Sequence, residues 1–214
     1  MLFRSKVEIK YNNGKKEYYF HGKRVIGRDT PINKGVYLIG GLGEALVVDD
    51  QEQPLLQQTF KDFLILIEEK AQKENRNINT FMIADALAYV QKLMPYSIMG
   101  VANVDKVHGI NTDILAPLEL YIRNKVGVCR HQSILLGYLL EKIKDQGYLR
   151  GDISVDRSIN KSGDEYYAHA WVRYTTFDRK KVFIADPANS VIDTLQNAVR
   201  KGIWNYQRPE ERVA

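Results

Sequence analysis

The sequence predicts an α+β fold: a central helix packed on an antiparallel sheet, with a β-ribbon at the N-terminus. Three observations carry this. Residues 129–146 place Ile134, Leu135, Leu136, Leu139, Leu140 and Ile143 around most of a helical circumference, the pattern of a buried central helix ending near Gly147. Residues 166–176 and 180–186 read as two strands joined through Phe177-Asp178-Arg179, a natural hairpin. Residues 6–11 and 15–20 flank Asn12-Asn13-Gly14, and Asn-Gly tolerates positive φ at both central positions of a tight turn.

The remaining elements follow in order. After the ribbon, Gly35-Val36-Tyr37-Leu38-Ile39 reads as a strand and Gly40-Gly41-Leu42-Gly43 as a turn, since the cluster lacks the glycine spacing and the Gly-Lys-Ser/Thr ending of phosphate loops. Pro54 opens a helix to residue 73 with an apolar stripe of Leu56, Phe60, Phe63, Leu64 and Ile67. A second helix over 79–94 uses Phe81, Ala84, Leu87, Ala88 and Val90 and stops before Pro95, so the two stripes pack together. Residues 95–113 read as an ordered loop holding His108 and Asn111, and Pro117 begins a short helix through residue 123. A last helix over 194–204 precedes the charged run Arg208-Pro209-Glu210-Glu211-Arg212. The expected organisation is a β-rich extension at 1–50, a core at 51–205 and a charged tail at 206–214, without internal repeats.

Composition bounds the function classes. The 214 residues, 44% hydrophobic and 27% charged, are long enough to bury a sizeable core and are ordinary for a globular chain. The start, Met1-Leu2-Phe3-Arg4-Ser5-Lys6, runs into charge rather than an apolar signal segment, and no apolar run approaches ~18 residues. The expectation is a chain neither Sec-exported nor membrane-spanning. One unpaired cysteine suits a reducing compartment, hence a cytoplasmic location or delivery outside the cell by a signal-peptide-independent route. The formal charge of +5 is scattered, with short clusters at Lys15-Lys16, Lys23-Arg24 and Arg179-Lys180-Lys181 and no basic helical stripe. Solvated loops account for it, and nucleic acid is not an expected partner.

Chemistry concentrates at Cys129, within Gly127-Val128-Cys129-Arg130-His131-Gln132, where a glycine-containing turn feeds the central helix. A single thiol builds neither a disulfide framework nor a cysteine-rich zinc site, so it is a buried small residue or a nucleophile. His169 in Ala168-His169-Ala170-Trp171 and Asp186 in Ala185-Asp186-Pro187 follow in the order Cys, His, Asp and favour the nucleophile. A helix N-terminus and an imidazolium both stabilise a thiolate. The first helical N–H also suits an oxyanion. His169 would take and return the proton while Asp186 fixes its tautomer. With a turn centred on Asp178 and Arg179, Trp171 faces Asp186 and His169 lies diagonally beside it on the same face, ~7 to 8 Å away at Cα. His131 sits ~200° around the helix from Cys129 and is assigned to the surface or to a supporting layer. A metal site from Cys129, His131 and His169 lacks a paired short-spaced ligand motif. Trp171 is read as packing near the site, His108 as an accessory candidate, and His21 has no visible partner.

Residues 118–190 resemble the core of the transglutaminase-like superfamily, a branch of the papain-like cysteine enzymes, over about a third of the chain. The likeness rests on a helix leading into Gly-Val-Cys-Arg, a long helix, His-Ala-Trp-Val on one strand and Asp-Pro on the next. Ala188 and Asn189 follow where that family often has Thr after the Pro, and no upstream Trp or Gln marks an oxyanion-hole donor. The resemblance implies a papain-like core with Cys129 as nucleophile, His169 as base and Asp186 as orienting acid, acting without a cofactor on a protein or peptide. It implies acyl transfer through a thioester, with peptide hydrolysis, glutamine deamidation and transamidation as outcomes. Protease or deamidase is favoured, because large calcium-dependent transglutaminases carry further domains and peptide N-glycanases carry zinc sites that one cysteine cannot supply. The competing expectation is a catalytically inactive transglutaminase-like protein-interaction module.

Overall fold

The Asn13-Gly14 dipeptide closes the N-terminal hairpin with both residues at positive φ, 49° and 76°, pairing β1 (Val7–Asn12) with β2 (Lys15–Phe20). The computed structural model describes residues 7–38, 44–79, 82–111, 114–162 and 165–212. Lys6, Ile39, the glycine cluster at 40–43 and Phe81, each used above, lie outside the described residues. The described chain is mixed α+β, with six α-helices and two sheets.

The first sheet continues through β3 (Lys23–Val25), β4 (Gly35–Leu38), β5 (Ala45–Val48) and β6 (Leu115–Pro117), in the order β1-β2-β3-β4-β5-β6. Strands β4 and β5 are buried on both faces, which is why they are apolar at nearly every position. Tyr37, Leu46 and Val48 join the main core, while Val36, Leu38, Ala45 and Val47 pack with Phe20 of the ribbon. The N-terminal strands therefore roof the helical core directly.

Helix α1 (Pro54–Lys73) begins at its proline and buries Leu56, Phe60, Phe63 and Ile67, with Leu64 only partly covered. Full burial of each such side chain is worth roughly 1.5–3 kcal/mol. Helix α2 (Met82–Leu93) follows. The expected loop at 95–113 instead contains a third helix, α3 (Ile98–Val107), capped by Ser97, whose hydroxyl accepts from the Gly100 N–H at 2.9 Å. Only Val101 and Val104 of α3 are buried, whereas Ile98, Met99 and Val107 are exposed, so its sequence carries no amphipathic stripe. Helix α4 (Leu118–Arg123) starts just after Pro117.

Helix α5 (Cys129–Asp145) is buried along most of its length against the second sheet, β7 (Gly151–Ser162), β8 (Glu165–Thr176), β9 (Val182–Asp186) and β10 (Val191–Thr194). That sheet is antiparallel throughout, in the order β10-β9-β8-β7. A Cβ on Gly137 of α5 would lie 2.7 Å from Ile32 Cδ1 and 3.0 Å from Val155 Cγ2, so glycine permits the close approach of helix to sheet. Strand β7 has little strand signature because its buried positions include Ser154 and Asp156, held by hydrogen bonds rather than by apolar packing.

The β8–β9 hairpin turns around Asp178 and Arg179, the register pairing Thr175 with Val182 and Val172 with Ala185. Continued by one residue it sets Trp171 opposite Asp186, the register expected above. Helix α6 (Leu195–Lys201) stops earlier than residue 204, at Gly202 with φ 66°. The charged segment beyond it folds back: Tyr206 is fully buried and Arg208 bonds Asp29, Asp156 and Ser154. Among the described residues no helix is long and apolar enough to cross a membrane.

Candidate active site

Cys129 is the first residue of α5, preceded by Val128 in extended conformation with no side-chain cap. The turn before it is stitched to residues 94–97: Gly127 N–H donates to Pro95 O at 3.2 Å, Ser97 N–H to Gly127 O at 2.9 Å, and buried Gln132 Nε2 to Met94 O at 2.8 Å. Gly127 leaves little room for a side chain, since a Cβ would sit 3.2 Å from that of His131 and 3.3 Å from that of Met94. One turn into the helix, Ser133 Oγ donates to Ala170 O at 2.8 Å. That buried bond fixes α5 against β8 next to His169 and so sets the thiol against the imidazole.

The structure brings the three candidate residues together. His169 Nε2 lies 2.6 Å from Asp186 Oδ2, which leaves the other ring nitrogen free to act on the Cys129 thiol that lines the same cleft. Asp186 is fully buried, yet Oδ2 also accepts from Asn189 Nδ2 and from the Tyr206 hydroxyl, each at 2.8 Å, and Oδ1 accepts from the Asn189 N–H at 3.3 Å. These donors replace the water that burial removes. The Trp204 ring meets His169 edge-on at 4.9 Å, Trp171 stacks at 6.1 Å, and Tyr206 closes on Trp171 at 5.3 Å. Trp204 is itself pinned by Nε1 donating to Ser158 Oγ at 2.9 Å. The aromatic wall keeps the His169–Asp186 bond out of solvent, where a charge-assisted bond is strongest.

The electrostatics follow from these contacts. Burial favours the neutral thiol, but the His169 bond and charge, the Ala170 N–H and Arg130 outweigh it and hold Cys129 below the ordinary thiol range. Burial likewise opposes a charged His169, while Asp186 and the Cys129 sulfur raise it to about 9. Burial pushes Asp186 up, and His169, Tyr206 and Asn189 bring it below the usual carboxylate range. These contacts shift the balance toward a thiolate facing an imidazolium backed by a carboxylate.

His131 is not at the surface. It is fully buried, meets the Tyr121 ring at a tilt of 50° with centroids 4.1 Å apart, and accepts the Val128 N–H on Nδ1 at 3.3 Å, an N-terminal cap for α5. Its Nε2 lies 2.9 Å from Glu44 Oε1, off the line of a hydrogen bond. Glu44, also buried, takes Arg130 Nε and Nη2 at 2.6 and 2.9 Å. Burial drives His131 down to about 4; it pushes Glu44 up, but His131 and Arg130 bring that carboxyl to about 2. The unfolded chain thus binds more protons than the native one between pH 6.5 and about 4, so stability falls as pH drops through that window. Urea unfolding at stepped pH values should show this loss, and His131→Gln should flatten it.

His108 sits exposed at the C-terminal cap of α3 and His21 at the turn between β2 and β3, so neither is part of the triad. Among the described residues no group of three or more His, Cys, Asp or Glu is arranged to hold a metal ion. A cleft of about 400 Å³ opens on the Cys129–His169 pair, lined by Tyr37, Arg130, Arg157, Ser158 and Ile159. Asn189, Tyr206, Trp204 and Glu44 were not marked by sequence reasoning. Asn189 alone carries a local signal, lying three residues beyond Asp186, a spacing at which an Asx carboxylate accepts a backbone N–H. Comparison with family models, curated proteins and solved structures finds no match to this chain.

Proposed function

We propose that this chain is a papain-like cysteine enzyme of the transglutaminase-like type, performing acyl transfer or amide hydrolysis on protein substrates with Cys129, His169 and Asp186. The observation that carries the reading is that the Cys129 thiol and His169 line one open cleft, with His169 bonded to buried Asp186 behind it. The thiolate attacks the carboxamide carbon, and the carbonyl π pair moves to oxygen beside the N-terminal N–H groups of α5. As the oxygen pair returns, the C–N bond breaks and His169 gives its proton to the departing nitrogen, leaving a thioester. Water then attacks the thioester, His169 accepts its proton, and the thiolate departs. An acceptor amine in place of water gives transamidation. Protease and glutamine deamidase are the favoured outcomes. A thiolate nucleophile also favours work in a reducing compartment, the cytoplasm of a producing or receiving cell.

The test is mass spectrometry of protein mixtures incubated with wild type or with Cys129→Ala. New termini identify a protease, a gain of about 1 Da at glutamine a deamidase, and cross-linked pairs a transamidase. Peptide maps identical for the two proteins across broad mixtures, together with a thiol of ordinary reactivity, would leave an interaction module in place of the enzyme.

A further inference from the structure

Among the described residues, the cleft beside Cys129 has two arginines in its lining and no acidic residue. The carboxylates near it are turned away: Asp186 is fully buried behind His169, and Glu44 is 3% exposed with Arg130 clamped to it. Arg130 is therefore largely neutralised. Arg157 is not, since among the described residues no carboxylate forms an ion pair with it. It lies on β7 directly opposite Ala170, the neighbour of His169, and its side chain is exposed. It is nevertheless held in place. The guanidinium lies over the Tyr37 ring, 5.2 Å from its centroid, and Nη1 donates to Leu38 O. An arginine fixed by a ring and a carbonyl keeps further N–H donors for a planar anion, and among the described residues its charge is met by no carboxylate.

We propose that Arg157 makes this cleft selective for substrates carrying a carboxylate next to the reacting carboxamide, an acidic side chain of a protein or peptide. The proposal rests on the cysteine-enzyme reading above and adds its substrate class. Tyr37 and Ile159 offer apolar contact to the stem of such a side chain while Arg157 takes its charged end. A glutamate suits this division better than its neutral isostere glutamine.

Two small reagents test it without a known substrate. Iodoacetate and iodoacetamide alkylate the same sulfur and differ chiefly in charge, so the ratio of their second-order rates reports the field at Cys129. His169 raises that ratio in every variant; Arg157 contributes separately. Arg157→Gln should lower the ratio about three- to fivefold, the effect of one unit charge at cleft distance in a solvated site. Arg157→Lys should keep it, and the iodoacetamide rate should stay within about twofold in both. In wild type, raising salt from 20 to 500 mM should lower the ratio in the same direction, which needs no variant to fold. A dipeptide chloromethyl ketone carrying Glu should label faster than its Gln counterpart, and Arg157→Gln should remove the difference. Fast labelling with an unchanged ratio in Arg157→Gln, or no preference for Glu over Gln, overturns the anion selectivity and leaves the enzyme reading standing. Slow, His169-independent labelling by both reagents removes the enzyme reading and the selectivity with it.

Discussion

Cys129→Ala and His169→Ala should each reduce the proposed acyl transfer to the background, a loss on the order of 10⁵- to 10⁶-fold, on any substrate identified by the mass-spectrometric comparison. The first removes the attacking atom, and the second removes both the proton carrier and the positive partner of the thiolate. The two act as one unit, so the double variant should be no worse than either single one. Asp186→Asn should retain residual activity, up to about 10⁴-fold below wild type, because it disturbs the tautomer and orientation of His169 without removing either reacting group. The fold should survive Cys129→Ala: the thiol is small and only partly buried, and α5 is held by Gln132, Ser133 and the apolar residues of its length. Single-turnover assays beside thermal unfolding separate the two effects. Wild-type turnover in Cys129→Ala would sink the mechanism.

Local patterns made much of this arrangement readable. Pro54 and the stripe it opens mark α1 because helix start and apolar period are written within a few residues of one another. The β8–β9 register follows from a turn around Asp178 and Arg179 and from strand alternation, which together put His169 and Asp186 on one face. The unread parts depend on distant residues. Tyr206 follows Asp186 by 20 positions and reaches it only because α6 ends at Gly202 and Arg208 ties the chain to Asp29 and Asp156. Glu44 lies 86 residues from Arg130, and nothing in either neighbourhood announces the pair. Helical angle from Cys129 leaves His131 to the surface or to a supporting layer, and the choice between them is made by Tyr121 and Glu44 packing from other elements. Strand β7 hides for a related reason: Ser154 and Asp156 are buried by an arginine that arrives from the end of the chain.

Amide turnover at Cys129 should rise at a pH below the free-thiol range and hold until His169 loses its proton near pH 9. Two opposing trends define that window. On the acid side the thiolate is protonated, and its midpoint is displaced downward because the His169 bond and charge, the Ala170 N–H and Arg130 outweigh the burial that disfavours charge. On the alkaline side His169, raised to about 9 against its own burial by Asp186 and the sulfur, becomes neutral and no longer donates to a leaving nitrogen. Amide turnover therefore follows a bell with its alkaline limb near 9, whereas alkylation, which needs only the thiolate, does not fall on that limb. Both midpoints belong to the coupled pair, so one substitution shifts both. His169→Ala should return the alkylation midpoint toward or above the free-thiol value of ~8.5, since burial then acts without its counterweight. Asp186→Asn should pull the alkaline limb of turnover downward, because the carboxylate is the main support for the imidazolium. Iodoacetamide rates from pH 4 to 10 on wild type and His169→Ala read the thiol midpoint, and turnover over the same range on wild type and Asp186→Asn reads the alkaline limb. A midpoint in the free-thiol range that ignores His169→Ala would mean that sulfur and imidazole form no ion pair, and the chemistry assigned to the cleft would go with it.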